Sequence, residues 1–502
     1  MSRPFLRRGL LALTLVLVGP ASAGAAPNNN NSAKLTQAVT VAGIYEHLNA
    51  FQAQATANGG NRFAGLPGHD ASAQYVYDRA RAAGYDVRFQ EFEYEAFEDQ
   101  SVLTRLAPAP QKSYTRGFFQ EFVGSNQAPE GTVTDTEVYA VDIMNPPLGD
   151  STSGCEDDDF DDFVAGSIAL VQRGTCNFVV KSVNAEEAGA SAVIIMNEGN
   201  AGRTELDFNP GVAGTNIPVV ATSSAVGFEL SNGVNDGLTG TRLNLTVDFF
   251  SETLTTRNVI ADSPRGAGDN VVVVGAHLDS VLDGPGINDN GSGSGTILEI
   301  AEQMTKVKPR NQVRFIWFSA EESGLIGSNF YVASLSAAER ANIAAMLNFD
   351  MVASPNFARF VYDGSDPDAP AGSGAIEDLF NSYFASRGLA FEPTPFDGRS
   401  DYGPFIAAGV DIPAGGLFTG AEVPKTSAQV LLYGGTAGIP FDPCYHQACD
   451  TIANINDTAL DQMSDAAAHA TITLAQSTAA VNGKRGKGNF KPKPAPETPI
   501  AL

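Results

Sequence analysis

Seven acidic or imidazole side chains gather in the second half of the sequence, five of them where apolar runs stop. His277 and Asp279 lie in "GAHLDS", directly after four valines. Asp289 follows in "GINDNGSGSG", Glu321 and Glu322 in "FSAEESG", Asp350 in "NFDMV" and His446 in "DPCYHQACD". Each is ordinary by itself. A lone histidine at a strand end is usually structural, paired glutamates after a strand usually open a solvated helix, and an aspartate in a glycine-rich loop usually caps a turn. As a set they are metal ligands. Two imidazoles and three carboxylates suit zinc, yet they are too many for one catalytic ion, which takes three protein ligands. Five ligands fit two ions sharing one bridging carboxylate, the clamp used by two-metal hydrolases. One glutamate then remains to act as a general base. Other chemistries are poorly supplied: "NDNGSGSG" lacks the lysine of a phosphate loop, and no G-x-S-x-G nucleophile elbow occurs.

Such ligands need a scaffold that gathers strand ends at one edge. From residue 255 the sequence reads strand, helix, strand: "NVVVVGAH", a helix near 293–306, "QVRFIWFSA", a helix near 325–335, then "MLNFDM". Apolar strands alternating with helices predict an α/β fold, a mostly parallel sheet covered by helices on both faces. Sites in such sheets form outside the carboxyl ends of the strands, where these seven residues fall. Nearer the N-terminus, a helix is predicted from Val41. A second is predicted over 70–83, with Asp70 as its N-cap and Gly84 just past its end. "YDVRFQEFEYEAF" alternates as a strand. Between about 110 and 245 short β runs alternate with Gly/Pro-rich turns around one short helix, "VKSVNAEEAGA".

Residues 1–26 read as a secretory signal: Arg3, Arg7 and Arg8, an apolar stretch from Leu10 to Val18, then small residues. Between 27 and 481 the chain carries 23 basic and 56 acidic residues, a net of −33. A surface this negative repels phosphate backbones and argues against nucleic acid as a partner. Four cysteines in an exported chain predict two disulfides. Proximity pairs Cys155 with Cys176 and Cys444 with Cys449, one of three connectivities.

The strings "GAHLDSV", "GINDNGSGSG", "AEESGLIGS", "NFDMVASPN", "GRSDYGPF", "GGLFTGA" and "FDPCYHQACD", with "ANGGNRFAGLPGHDAS" near the start, resemble the M28 family of zinc aminopeptidases, in particular its secreted streptomycete type. "IALVQRGTCNFVVKSVNAEEAGASAVIIMNEG" resembles a protease-associated (PA) domain. After the signal (1–26) and a leader read from its composition as disordered (27–37), the resemblance implies a peptidase domain in two parts (38–109 and 246–481) and a β-rich α+β PA domain inserted at 110–245. A disordered Lys/Pro-rich tail (482–502) would follow.

It further implies two zinc ions, one held by His277 and Asp350, the other by Glu322 and His446, with Asp289 bridging. Glu321 would be the general base, and Tyr445 would donate to the oxyanion. Asp279 would accept the second ring N–H of His277. Around Arg399 the main chain would help hold the substrate's amine, and Phe418 would wall an apolar specificity pocket favouring residues such as Leu. Some members bind calcium; Asp461 and Asp465 match two of its ligands, while Ala38 stands where a third is expected. His47, His69 and His469 match no ligand motif. The implied enzyme is a secreted monomer acting on peptide N-termini, with no membrane insertion. Three competing readings are a carboxypeptidase of the same fold, a receptor-like relative with a decayed site, and a single-zinc glutaminyl cyclase. The intact ligand set and the 399–420 segment favour the aminopeptidase.

Overall fold

The computed structural model describes residues 29–117, 120–144 and 151–484. The expected signal at 1–26 and residues 485–502 of the expected tail at 482–502 lie outside them; the start of that tail is ordered, since Asn482 ends the helix Ala479–Asn482 and donates to Asn270 Oδ1 at 2.9 Å. Two eight-stranded sheets organise the chain.

At the centre of the first, Ala267–His277 runs parallel to Asn311–Phe318 on one side and to Ile343–Phe349 on the other. Ala414–Phe418 extends the parallel set beyond Ile343–Phe349. Antiparallel strands Asp86–Asp99 and Phe249–Asp262 complete one flank, and Phe360–Tyr362 pairs antiparallel with Ala414–Phe418 on the other. Successive valines of "VVVV" point to opposite faces. Val272 and Val274 pack with Ile44, Val76, Ile297, Phe380 and Leu460 under the helices Val41–Ala57, Pro67–Ala82, Gly293–Met304, Ser373–Ser386 and Asp457–Gln476. Val271 and Val273 pack with Tyr331 and Phe405 on the other face. Both faces are dry, so each valine contributes about 1.5–3 kcal/mol as an upper figure. The mixed α/β architecture is the one the sequence predicts.

The second sheet has a parallel centre of its own. Gly131–Ala140, Ile168–Gln172, Ala192–Met196 and Val219–Thr222 lie side by side. Helices Phe178–Glu187 and Ser224–Ser231 pack against it. Its outer strands include Val102–Ala107 and Gly237–Val247, so it begins ahead of residue 110 and runs past 245. Asp86–Asp99 and Phe249–Asp262 pair along their whole length and lead from the first sheet to the second. Arg116, beyond that ribbon, forms an ion pair with Asp283 in the loop after the His277 strand.

Two local expectations need correcting. Within the leader assigned as disordered, Ser32–Ala38 is a helix capped by Asn31, whose side chain accepts from the Lys34 N–H. Leu35 is fully buried in the main core, and Ser32 Oγ lies 2.6 Å from His469 Nδ1, so tertiary docking orders a segment too short to be helical by itself. The second helix is Pro67–Ala82, with Leu66 rather than Asp70 at its N-cap. Pro67 opens it because the first turn has no use for that N–H, and Asp70 sits inside the turn, where its charge suits the helix dipole.

Candidate metal centre

Register decides which residues meet. His277 pairs with Phe318, and Gly275 with Asn348. The three strand ends are therefore level, and the next residues, including Glu321 and Asp350, surround His277. Between them the 278–292 loop folds back over the sheet edge. Gly286 has φ +59°, and a Cβ there would lie 2.2 Å from the Asp289 carbonyl oxygen, so this turn requires glycine. Asn290 ties the loop to the neighbouring strand end, donating to Phe349 O (2.9 Å) and accepting from Met351 N–H (3.2 Å).

Asp289 stands between the two imidazoles, its Oδ1 3.2 Å from His277 Nε2 and its Oδ2 3.3 Å from His446 Nε2. His277 Nε2 also faces Asp350 Oδ1 at 3.4 Å and Glu321 Oε2 at 3.9 Å. His446 Nε2 faces Glu322 Oε2 at 3.0 Å. Ligand atoms of His277, Asp289 and Glu322 lie within 4.8 Å of one another, as do those of His277, Glu321 and Asp350. Glu322 Oε1, Asp350 Oδ1 and His446 Nε2 are buried without a hydrogen-bond partner among the described residues. Buried ligand-type atoms left unpaired around a shared carboxylate fit divalent cations with a nitrogen and oxygen preference. A third group, His47, Glu299 and Glu302, already has its cation: Arg79 grips both oxygens of Glu302 at 2.5 and 2.8 Å.

The electrostatics follow from burial and crowding. Burial pushes the Glu321 carboxyl well above the ordinary range, opposed by His277 and reinforced by Asp350, Glu322 and Asp401. For Asp289 burial also acts upward, but the two imidazoles overcome it and hold the carboxylate below its usual value. Burial disfavours the charged form of both ligand histidines. The charges of Glu321 and Asp350 nevertheless raise His277, and that of Glu322 raises His446. Burial, with Asp289 and Glu322 nearby, keeps the Tyr445 phenol protonated far above neutrality. The Tyr445 ring stacks on His446 at 3.8 Å.

Several residues hold this arrangement without joining it. Asp279 is fully buried, but its Oδ1 is 3.8 Å from His277 Nδ1, too far for the expected hydrogen bond. It accepts instead from the backbone N–H groups of Glu321 (3.3 Å) and Glu322 (3.2 Å), anchoring the turn that carries them. Ser400 donates to Asp350 Oδ2 at 2.6 Å. Asp450 accepts from the N–H of Asn288 and of Asp289, both at 2.9 Å. Arg62 is fully buried, donates to the carbonyls of Leu278, Pro285 and Gly286, and lies over the Phe51 ring. The sequence reading gave none of Arg62, Ser400 and Asp450 a role, although each lies inside a string quoted for the resemblance.

A cleft opens beside the cluster, lined by Arg399, Phe418 and Tyr445 as well as by His277, Asp289, Glu321, Glu322 and Asp350. Arg399 pairs with Glu422 at 3.1 Å. Both expected disulfides are present, and Cys444–Cys449 closes the short strap that carries Tyr445 and His446. Asp461 and Asp465 lie on the helix Asp457–Gln476 and belong to none of the three ligand groups. Asp465 accepts from the Tyr383 hydroxyl at 3.3 Å. The remaining histidines are packed into the fold: His47 against Tyr75, His69 fully buried beside Thr256, and His469 stacked on Tyr383.

Comparison with known proteins places this geometry. Residues 258–471 match the model of peptidase family M28, and residues 133–230 that of the PA domain. An aminopeptidase of Pseudomonas aeruginosa is 45% identical over 457 residues, covering 89% of this chain and 83% of that protein. Leucine aminopeptidase 2 of Trichophyton rubrum is 38% identical over 440 residues, 86% of this chain and 84% of its own. The solved aminopeptidase from Aneurinibacillus sp. strain AM-1 superposes with a TM-score of 0.55 at 27% identity, over 88% of this chain and 95% of that one. The converging strand ends, the cleft beside them and the inserted second sheet are therefore those of a chain that belongs to peptidase family M28 and carries a PA domain.

Proposed function

We propose that the chain is a secreted aminopeptidase that uses two zinc ions to hydrolyse the N-terminal peptide bond of peptides, with a preference for apolar residues such as Leu. The observation that carries this reading is Asp289 set between two imidazoles, each of which also meets a second carboxylate. His277 and Asp350 would hold one ion, Glu322 and His446 the other, with Asp289 shared. When bound, the zinc ions supply Lewis acidity that activates water and polarises the scissile carbonyl. Glu321 takes the proton from the attacking water. Its raised affinity for protons lets it keep that proton and pass it to the departing amine. Tyr445, protonated at neutral pH, donates its hydroxyl to the oxyanion. The substrate's ammonium group is held by Glu321 and Asp350 with the main chain near Arg399, which sets cleavage one residue from the end. Phe418 walls the pocket for the first side chain. The protein acts as a monomer, with the PA domain as lid or partner module, and Asp461 and Asp465 would supply two ligands of a calcium site.

Leucyl-p-nitroanilide, its N-acetylated form, a chelator and Glu321→Ala test this together. The expected result is hydrolysis of the free-amine substrate alone, abolished by chelation and by the substitution, with two zinc ions per chain by elemental analysis. Two zinc ions without aminoacyl hydrolysis would point to carboxypeptidase chemistry. One zinc with cyclisation of N-terminal glutamine would point to a cyclase, and no zinc and no activity to a receptor.

A further inference from the structure

The pocket for the substrate's first side chain carries a charge that an apolar preference does not use. Its walls are Met351, Tyr362, Thr394, Pro395 and Phe418, and Asp397 stands on the same lining. Met351 and Tyr362 are buried, Thr394 and Phe418 are half-buried, and Pro395 and Asp397 are exposed, so the carboxylate lies on the solvent side of this mainly apolar part of the cleft. It is also fixed there. Asp397 Oδ1 accepts from the Tyr402 hydroxyl at 2.8 Å and from the Arg399 backbone N–H at 3.1 Å. Phe396, the preceding residue, stacks on Tyr362 with ring centres 5.5 Å apart. The other carboxylate oxygen of Asp397 accepts no hydrogen bond among the described residues.

One guanidinium, that of Arg399, feels the charge of Asp397 but is shared with a second carboxylate. The Arg399 guanidinium is committed to Glu422, which is nearly buried. Counted together, Asp397, Arg399 and Glu422 leave one negative charge at the pocket mouth. An apolar slot ending in a held carboxylate suits a side chain with a methylene stem and a cationic tip, the stem packing on the walls and the tip reaching water and the anion.

Resting on the aminopeptidase reading, we propose that this pocket accepts N-terminal Lys and Arg as well as Leu, and that Asp397 is the residue that recognises their charge. An exposed, prepositioned ion pair contributes about 1 kcal/mol, which corresponds to about fivefold in kcat/KM. Lys substrates should therefore be cleaved within about tenfold of Leu, which stays preferred, and Glu substrates should be repelled.

The test uses the full-length protein with leucyl-, norleucyl-, lysyl- and glutamyl-p-nitroanilides. Norleucine carries the lysine stem without the ammonium. For the wild type, kcat/KM for Lys and Leu should agree within about tenfold, with Glu at least about 100-fold below. Asp397→Asn keeps the acceptor for Tyr402 and Arg399 and should lower the Lys-to-norleucine ratio about fivefold. Raising the salt to about 1 M should lower that ratio in the wild type and leave it unchanged in the variant. A ratio indifferent to both the substitution and salt overturns the proposal, as does a wild type that cleaves Lys no better than Glu. If no free-amine anilide is hydrolysed, including Leu, the aminopeptidase reading falls and takes this one with it.

Discussion

The two sheets of this protein share a construction and differ in what they do with their strand ends. Each centres on parallel strands buried on both faces, "VVVV" at Val271–Val274 in one and "AVIIM" at Ala192–Met196 in the other. After the strand ending at Met196 come Asn197 and Glu198, which are tied down nearby. Asn197 donates to Glu205 O at 2.6 Å, and Glu198 pairs with Arg203 at 3.0 Å. In the first sheet the strand ends carry His277, Glu321, Glu322 and Asp350 around one point, and Arg62, the cation beneath them, is committed to backbone carbonyls. A buried acid beside its own cation is a structural detail. Four acids converging on two imidazoles leave the fold short of positive charge, and that deficit is what bound metal makes good.

The largest test of this contrast removes the shared carboxylate. Asp289→Ala should strip zinc from the protein and lower kcat/KM by at least about 10³-fold. Glu198→Ala should leave activity within about twofold, and equal losses from the two would erase the distinction. Tyr445→Phe comes next: kcat should fall about 10²-fold with zinc content and KM little changed. A change confined to KM would make the hydroxyl a binding group. A core truncation separates the sheets by stability instead. Ile194 is fully buried in the second sheet, so Ile194→Ala should cost about 2–5 kcal/mol of that domain's stability. Calorimetry should show the loss while kcat per active molecule is kept; a matching fall in kcat would mean that the second sheet shapes the site.

The smallest effect concerns pH. Burial, with the charges of Arg62 and Arg257, pushes His69 down to about 3. A histidine held neutral in the fold binds a proton only when unfolded once pH drops below about 6.5, so its stabilising contribution is present above that pH and lost below it. Between pH 7 and 5 this costs about 2 kcal/mol, and His69→Gln should flatten the pH slope of the stability measured by urea unfolding over that window. An unchanged slope would show that His69 is not held neutral.

What the sequence made legible was whatever depends on chain-local pattern. Ligands after apolar runs, the alternation of strands with helices and the two nearby cysteine pairs all read directly. What it hid depends on partners far away in the chain. Asp279 looked like the orienter of a histidine two residues back, yet the fold delivers two backbone N–H groups from residues 321 and 322 to its oxygens. Ser400 and Asp350 are fifty positions apart and meet only once the loop carrying Ser400 folds over the end of the Ile343–Phe349 strand. The helix Ser32–Ala38 has little periodicity to declare itself and exists because Leu35 finds a pocket in the main core.

The strap from Asp442 to Asp450 brings Tyr445 and His446 to a cluster whose other members are all encoded earlier. During synthesis the second imidazole and the phenol are thus among the last pieces of the site to appear. A chain released before that strap lacks both, whatever metal it meets. For an aminopeptidase, this order of residues means that the full site cannot assemble until the strap at 442–450 has been made.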